Sequence, residues 1–180
     1  MIKKITFTLI LLLSTLSISA QHHSQIGASG PVYPRYSGTF ELGIAQTPNE
    51  DPRIEFLPSF GVKLNPYFYI GGGVGLNTYT NTGVKDGSDL WTLPIYANLR
   101  AFLPTGTDWF TPFLDMKPGY ALGLNYTEVK GLYLSLAAGF SIKKVSLSVG
   151  YGHQAVSTEF FGSKITTGVG GFSMKLGIAL

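Results

Sequence analysis

The stretch that decides the fold is Gly171–Leu180, which reads GFSMKLGIAL. Its large apolar residues all fall on one parity, and small or polar residues fall on the other. The apolar set consists of Phe172, Met174, Leu176, Ile178 and Leu180; the other set consists of Gly171, Ser173, Lys175, Gly177 and Ala179. Successive side chains of a β-strand point to opposite faces, so this period of two predicts a strand with one apolar face.

The same alternation recurs in seven earlier segments of the chain. Strands are predicted over residues 36–46, 54–64, 67–79, 91–103, 112–124, 132–142, 145–154 and 169–180. Short connections (65–66, 143–144) largely alternate with longer polar ones (47–53, 80–90, 125–131, 155–168), and 104–111 is the least regular. Outer-membrane barrels have short periplasmic turns and longer outer loops. The pattern therefore predicts an all-β fold, an eight-stranded antiparallel up-and-down transmembrane β-barrel.

The first twenty residues have the form of a secretory signal peptide. Lys3 and Lys4 precede an apolar run that is shorter than the ~20 residues a membrane helix needs, and small residues follow near Ala20. We expect cleavage there, which leaves 21–35 as an irregular mature N-terminus and 36–180 as the barrel. His22 and His23 are interpreted as part of a solvated tail, because no third metal ligand lies nearby.

Composition narrows the class of protein further. Charged residues make up 13% of the chain, against about 25% in average soluble proteins. The chain has 23 glycines, 10 tyrosines, 12 phenylalanines and no cysteine. Without Lys3 and Lys4, eleven basic residues balance ten acidic ones, and no basic run predicts nucleic-acid binding. This composition suits a barrel with lipid outside and a tightly filled interior.

Aromatic residues are predicted to form two interfacial girdles, as in outer-membrane barrels. The inner set is Tyr67, Phe68, Trp109, Phe110 and Phe113, and the outer set is Tyr79, Trp91, Phe160 and Phe161.

Taken together, these features resemble the small eight-stranded outer-membrane barrels of the OmpX and OmpA-transmembrane-domain type, including the short barrel proteins of Bacteroidetes. The resemblance covers roughly residues 36–180. It rests on the leader end Ser17–Ala20, the strand segment Leu93–Arg100 and the terminus Gly171–Leu180. It implies a porin-like cell-envelope protein in the outer membrane of a Gram-negative bacterium.

If the apolar parity faces lipid, the opposite parity places charged residues inside the barrel. These are Glu41, Glu55, Lys63, Arg100, Asp115, Lys117 and Lys175. Side chains fill the interior of an eight-stranded barrel, and buried charges must pair. We expect a mid-barrel network of Glu41, Arg100, Asp115 and Lys175 that plugs the barrel rather than conducting. Gly71, Gly73 and Gly75 share the inward parity and are expected to relieve crowding beside large neighbours.

The strongest catalytic candidate is His153, which Ser157 and Glu159 follow. These residue types could form a Ser-His-acid hydrolase that faces lipid A. In lipid A deacylases, however, the serine lies two residues after the histidine, and Ala155 occupies that position here. We therefore expect no enzymatic activity and no catalytic, cofactor-binding or metal-binding residue.

The function predicted from the sequence is a structural or interaction role exerted through the outer loops, chiefly 80–90 and 155–168. The expected partners are outer-membrane lipid, lipopolysaccharide and a protein at the loops, without nucleic acid. Three alternatives remain open at this point. They are a lipid A-modifying barrel hydrolase, a soluble periplasmic barrel that binds an apolar ligand, and a narrow solute channel.

Overall fold

The computed structural model describes residues 33–46, 52–79, 89–103, 105, 109–125, 129–160 and 163–180; for 156–160 and 163–167 it describes the backbone only. The predicted signal peptide (1–20), His22 and His23 lie outside these residues. No helix in the described part of the chain is long and apolar enough to cross a membrane.

The described residues form nine antiparallel strand segments. They are β1 (Arg35–Gln46), β2 (Arg53–Lys63), β3 (Phe68–Val74), β4 (Leu76–Tyr79), β5 (Leu90–Phe102), β6 (Phe110–Gly123), β7 (Lys130–Ile142), β8 (Val145–Phe160) and β9 (Ser163–Ala179). β1 pairs with both β2 and β9, and this second pairing closes the sheet into a barrel.

β3 and β4 are two halves of one barrel strand, so the barrel has the predicted eight strands. The break at Gly75 leaves the register unchanged, because Gly73 pairs with Ser59 and Asn77 with Glu55 on the same neighbour, β2. Across the break, the Gly75 amide donates to the Pro94 carbonyl at 2.8 Å. Pro94 has no N–H that could donate a second hydrogen bond back to this strand, so the ladder is interrupted there.

The predicted connection at 155–168 is wrong, because β8 and β9 continue through it. Their pairing runs from Ala155 opposite Gly168 to Phe160 opposite Ser163. Apolar alternation indicates a strand with one face toward lipid or a core. Backbone pairing needs no apolar face, so a strand without one is not detected by this pattern. Arg53, Leu90 and Lys130 also lie in strands, although they were predicted in connections.

The outer face of the barrel is an apolar belt. On β7, the exposed side chains at alternate positions include Leu132, Leu134, Leu136, Phe140 and Ile142. From Leu132 to Ile142 the strand covers ~33 Å at about 3.3 Å per residue. At a tilt of roughly 40° this corresponds to about 25 Å along the membrane normal, the height of the apolar band of transmembrane barrels. The outward apolar parity contradicts the soluble-barrel alternative, which required it to face inward.

Exposed aromatic residues lie near both ends of the belt. Tyr36, Tyr67, Phe68 and Trp109 lie at the end with the short turns, and Trp91, Tyr120, Tyr151 and Phe172 lie toward the other end. Two predicted girdle residues are instead interior, since Phe113 is 2% and Tyr79 3% exposed. They share the inward parity of Asp115 and Asn77. The side chains of Phe160 and Phe161 lie outside the described residues.

Inward glycines make room for large side chains, as predicted. A Cβ on Gly73 would lie 2.7 Å from the phenol of Tyr96, and one on Gly75 would lie 2.6 Å from Leu57. Both distances are too short for real atoms, so these positions require glycine for the interior to pack.

Replacing Gly73 by alanine should lower the free energy of unfolding by about 1–3 kcal/mol, because the added methyl group overpacks the interior. Gly72→Ala is the matched control, since its new Cβ would face lipid 3.5 Å from its nearest neighbour, the Tyr96 carbonyl oxygen. Urea unfolding in detergent, followed by gel mobility, measures both variants. Equal losses would contradict the inward assignment of Gly73.

Candidate functional site

The interior holds two clusters of charged side chains, one above the other. The turn-side cluster consists of Glu41, Arg100, Asp115 and Lys117, each at most 5% exposed. Arg100 Nε donates to Asp115 Oδ2 at 2.8 Å, and Lys117 Nζ lies 2.8 Å from Glu41 Oε2. Arg100 also pairs with Glu41, and Lys117 with Asp115. Two cations and two anions therefore alternate in a closed, electroneutral ring.

Strand register explains how the turn-side cluster forms. Arg100 and Asp115 are direct partners on β5 and β6, and Lys117 follows Asp115 on the same face. Glu41 reaches them from β1. The Arg100 guanidinium also lies over the Phe113 ring, 4.3 Å from its centroid, so this interior aromatic residue packs against the cluster.

The loop-side cluster is built around Arg53 and Glu55, which are both fully buried. Arg53 Nη2 lies 2.5 Å from Glu55 Oε1, and Arg53 Nη1 donates to the Tyr79 hydroxyl at 3.1 Å. The Tyr79 hydroxyl in turn donates to Gln154 Oε1 at 2.7 Å. Gly152 leaves the space for this arrangement, since a Cβ there would lie 2.6 Å from Arg53 Nη2.

Lys175 belongs to the loop-side cluster, and its predicted place in the Glu41–Arg100–Asp115 network is wrong. Its Nζ donates to Ser135 Oγ at 2.5 Å and lies 3.8 Å from Glu55 Oε2. On β1, the partner of Lys175 is Gly43, which lies two residues closer to the loops than Glu41. Lys117 takes the position in the turn-side cluster that had been predicted for Lys175.

Two further cations face the interior: Arg53, which was not predicted there, and Lys63, which was. Arg53 was missed because it was assigned to a connection, although its parity with Glu55 indicated the interior. Lys63 follows the inward parity, as predicted, but is only half-buried. Its ammonium lies over the Phe102 ring, 4.2 Å from the centroid, at the turn-side mouth of the barrel.

Apolar and aromatic residues fill the rest of the interior. Leu57, Tyr96, Ala121 and Tyr133 form one buried group, and the Tyr96 hydroxyl donates to the Pro58 carbonyl at 2.8 Å. Tyr79, Leu90 and Val129 form another at the loop end, where Val169 packs against them. Charged, aromatic and aliphatic side chains thus fill the interior together, which suits a structural plug.

His153 lies on the outer face of β8 and is exposed. Its partners on the neighbouring strands are Leu134 and Gly170, and its ring crosses the backbone at Gly168, where a Cβ would lie 2.6 Å from His153 Cε1. A bare glycine backbone on β9 therefore accommodates the imidazole.

The structure does not bring the proposed catalytic residues together. His153 and Ser157 lie four residues apart in the same strand, and Glu159 lies further along it. Four residues of extended strand separate two Cα atoms by about 13 Å, whereas a catalytic serine and histidine share a hydrogen bond of ~2.6–3.2 Å. Among the described residues, no group of three or more acidic or histidine side chains could hold a metal ion.

No model of a known protein family matches this chain, and a comparison with curated proteins finds no match. Solved structures do match. The outer membrane enzyme PagL is similar with a TM-score of 0.59 and 12% identity, over 78% of this chain and 98% of PagL. Neisserial surface protein A (NspA) is similar with a TM-score of 0.50 and 15% identity, over 81% of this chain and 94% of NspA. At these identities the likeness establishes the fold alone, that of an eight-stranded transmembrane β-barrel.

Arg100→Met should destabilise the barrel by about 3–5 kcal/mol, because two buried carboxylates would then share a single cation. Adding Asp115→Leu should recover part of that loss, since Glu41 and Lys117 remain as a neutral pair. The control is Lys130→Met at an exposed strand end, where a change within ~0.5 kcal/mol is expected. Urea unfolding of all three variants measures these differences; a double variant less stable than Arg100→Met alone would contradict the closed ring.

Proposed function

We propose that this chain is a non-enzymatic outer-membrane β-barrel protein of a Gram-negative bacterium, with a structural or interaction role exerted through its outer loops. Residues 1–20 would direct export and be removed. The proposed partners are outer-membrane lipid, lipopolysaccharide and a protein that contacts the loops, without nucleic acid.

The apolar belt is the observation that carries this proposal. Its height of about 25 Å fits the hydrocarbon layer that transmembrane barrels cross. A soluble protein rarely exposes so large a continuous apolar surface. The likeness to PagL, which is described as an outer membrane enzyme, supports the choice of membrane.

The filled interior supports a scaffold rather than a solute channel. The fully buried side chains include Arg53, Glu55, Tyr133 and Lys117, and the loop-side and turn-side clusters lie at two levels of the lumen. Moving an ion through these levels would require breaking buried ion pairs, which costs several kcal/mol. Specific contacts are therefore expected at the ends of the barrel.

The hairpin of β8 and β9 is the leading candidate for such contacts. The pairing of β9 with β1 begins at Phe172, so within the described ranges residues 163–171 pair with β8 alone. Nine residues of strand correspond to ~30 Å along the hairpin. A regularly paired hairpin can present a surface to a partner, and recognition by loops on a rigid scaffold is common.

The second candidate function is a lipid A-modifying hydrolase that uses His153, Ser157 and Glu159. The exposed position of His153 near the outer end of the belt and the enzyme among the similar structures favour it. The separation of His153 from Ser157 along β8 and the presence of Ala155 argue against it.

The experiment that tests the proposal combines membrane fractionation with gel mobility and lipid A mass spectrometry. The full chain should fractionate with the outer membrane and migrate differently before and after boiling, because a closed ladder resists SDS. Lipid A from cells that express the chain, or its His153→Asn variant, should match lipid A from cells without it. A mass change that depends on His153 would favour the hydrolase, and a soluble protein without a heat shift would contradict the proposal.

A further inference from the structure

Outside the turn-side cluster, the described charged side chains at the turn-side end of the barrel are all cations. We name Arg35, Lys63, Lys143 and Lys144 the basic rim; Lys63 is half-buried and the other three are exposed. Asp108, in the connection between β5 and β6, lies outside the described residues. Even with Asp108 included, the side chains of the basic rim and this connection sum to a formal charge of +3, from four cations and one anion.

The opposite end of the chain's strands has a different charge balance. Asp89 and Lys130 are exposed there and carry opposite charges. In sequence, the connections at that end add Glu50, Asp51, Asp86 and Glu128 against Lys85. The basic character is therefore specific to one end, although the mature chain is nearly neutral overall.

Arg35 and Lys63 are direct cross-strand partners on β1 and β2. Like charges directly opposite each other in a sheet are destabilising. The interior acids on the same side of the barrel, Glu41 and Asp115, are already paired with Arg100 and Lys117. An anion from outside the protein would relieve this repulsion.

Lys143 and Lys144 form the two-residue turn between β7 and β8, which the paired residues Ile142 and Val145 close. Lys143 has a φ of 54°, in the left-handed region that favours glycine or asparagine. Turn geometry therefore does not explain the lysine. The Lys143 amide also donates to the Trp109 carbonyl at 3.2 Å, which ties this basic turn to the aromatic end of the belt.

Exposed apolar residues flank Lys143, Lys144 and Arg35, three of the four rim cations. Ile142 and Val145, which flank the lysines, are 43% and 50% exposed, and Tyr36, next to Arg35, is 85% exposed. Apolar residues that adjoin cations in this way mark the boundary between hydrocarbon and headgroups, where lysine and arginine reach the phosphates.

We propose that the basic rim binds the phosphate groups of anionic phospholipid headgroups in the leaflet that faces the turns. This would hold the barrel at a defined depth, with its turns toward the anionic surface. The inference goes beyond the proposed function, although it rests on insertion of the barrel into a bilayer.

The test uses the full chain folded in vesicles of equal parts phosphatidylcholine and phosphatidylglycerol. After gentle detergent extraction, native mass spectrometry measures the ratio of the two lipids that stay bound. The wild type should retain phosphatidylglycerol in preference. The variant Lys143→Asn with Lys144→Gln should lose about five-fold of this enrichment for each cation removed, from ~1 kcal/mol per lysine near an anionic surface. Asparagine tolerates the left-handed conformation at 143.

Three controls separate the outcomes. Lys130→Gln, at the opposite end, should keep the enrichment, and so should Lys143→Arg with Lys144→Arg. Excess inorganic phosphate should not remove it; if it does, the rim binds free phosphate and the lipid proposal fails. Equal enrichment in the wild type and the asparagine–glutamine variant would also overturn it. A heat-dependent gel shift, measured first on each sample, reports insertion separately, so failure of the barrel proposal is recognised independently.

Discussion

Closure of the hydrogen-bond ladder between β1 and β9 is the constraint on which the rest of the structure depends. Backbone groups in a bilayer have no water to pair with, so a strand-built protein can cross it only as a closed barrel. In a closed barrel, the side chain of each strand residue faces either the lipid or the lumen. With eight strands the lumen is narrow enough for side chains to fill it, and the alternation of the sequence becomes a division between an apolar exterior and a polar, glycine-relieved interior.

The narrow lumen explains why the interior charges are arranged in pairs and rings. Arg100 and Lys117 alternate with Glu41 and Asp115, so that each buried charge meets the opposite sign. Such a cluster holds opposite walls together but has little freedom to bind a ligand. The interactions proposed above therefore lie at the two ends of the barrel, at the β8–β9 hairpin and at the basic rim. The two ends of such a rigid barrel face different surroundings.

The sequence predicted most of the fold because the alternation is local and repeated. The strand prediction failed where a strand lacks the apolar alternation that marks a lipid-facing surface. Residues 155–168 lack apolar alternation, yet they pair as β8 and β9 because backbone pairing does not require it. Phe113 and Tyr79 were assigned to girdles from their position near strand ends, whereas their parity, shared with Asp115 and Asn77, places them inside. Arg53 was missed because a strand boundary drawn one residue late removed it from the inward set.

The sequence by itself determined the strand number, the alternation of faces within each predicted strand and all of the buried charges except Arg53, since a period of two decides these within each strand. Only the tertiary structure decided which charges meet. Lys175 and Lys117 share the inward parity, but the stagger between strands puts Lys117 level with Glu41 and raises Lys175 toward Glu55. The height of a residue along the barrel depends on the register of every strand between it and its partner, and the pattern within one strand does not fix that register.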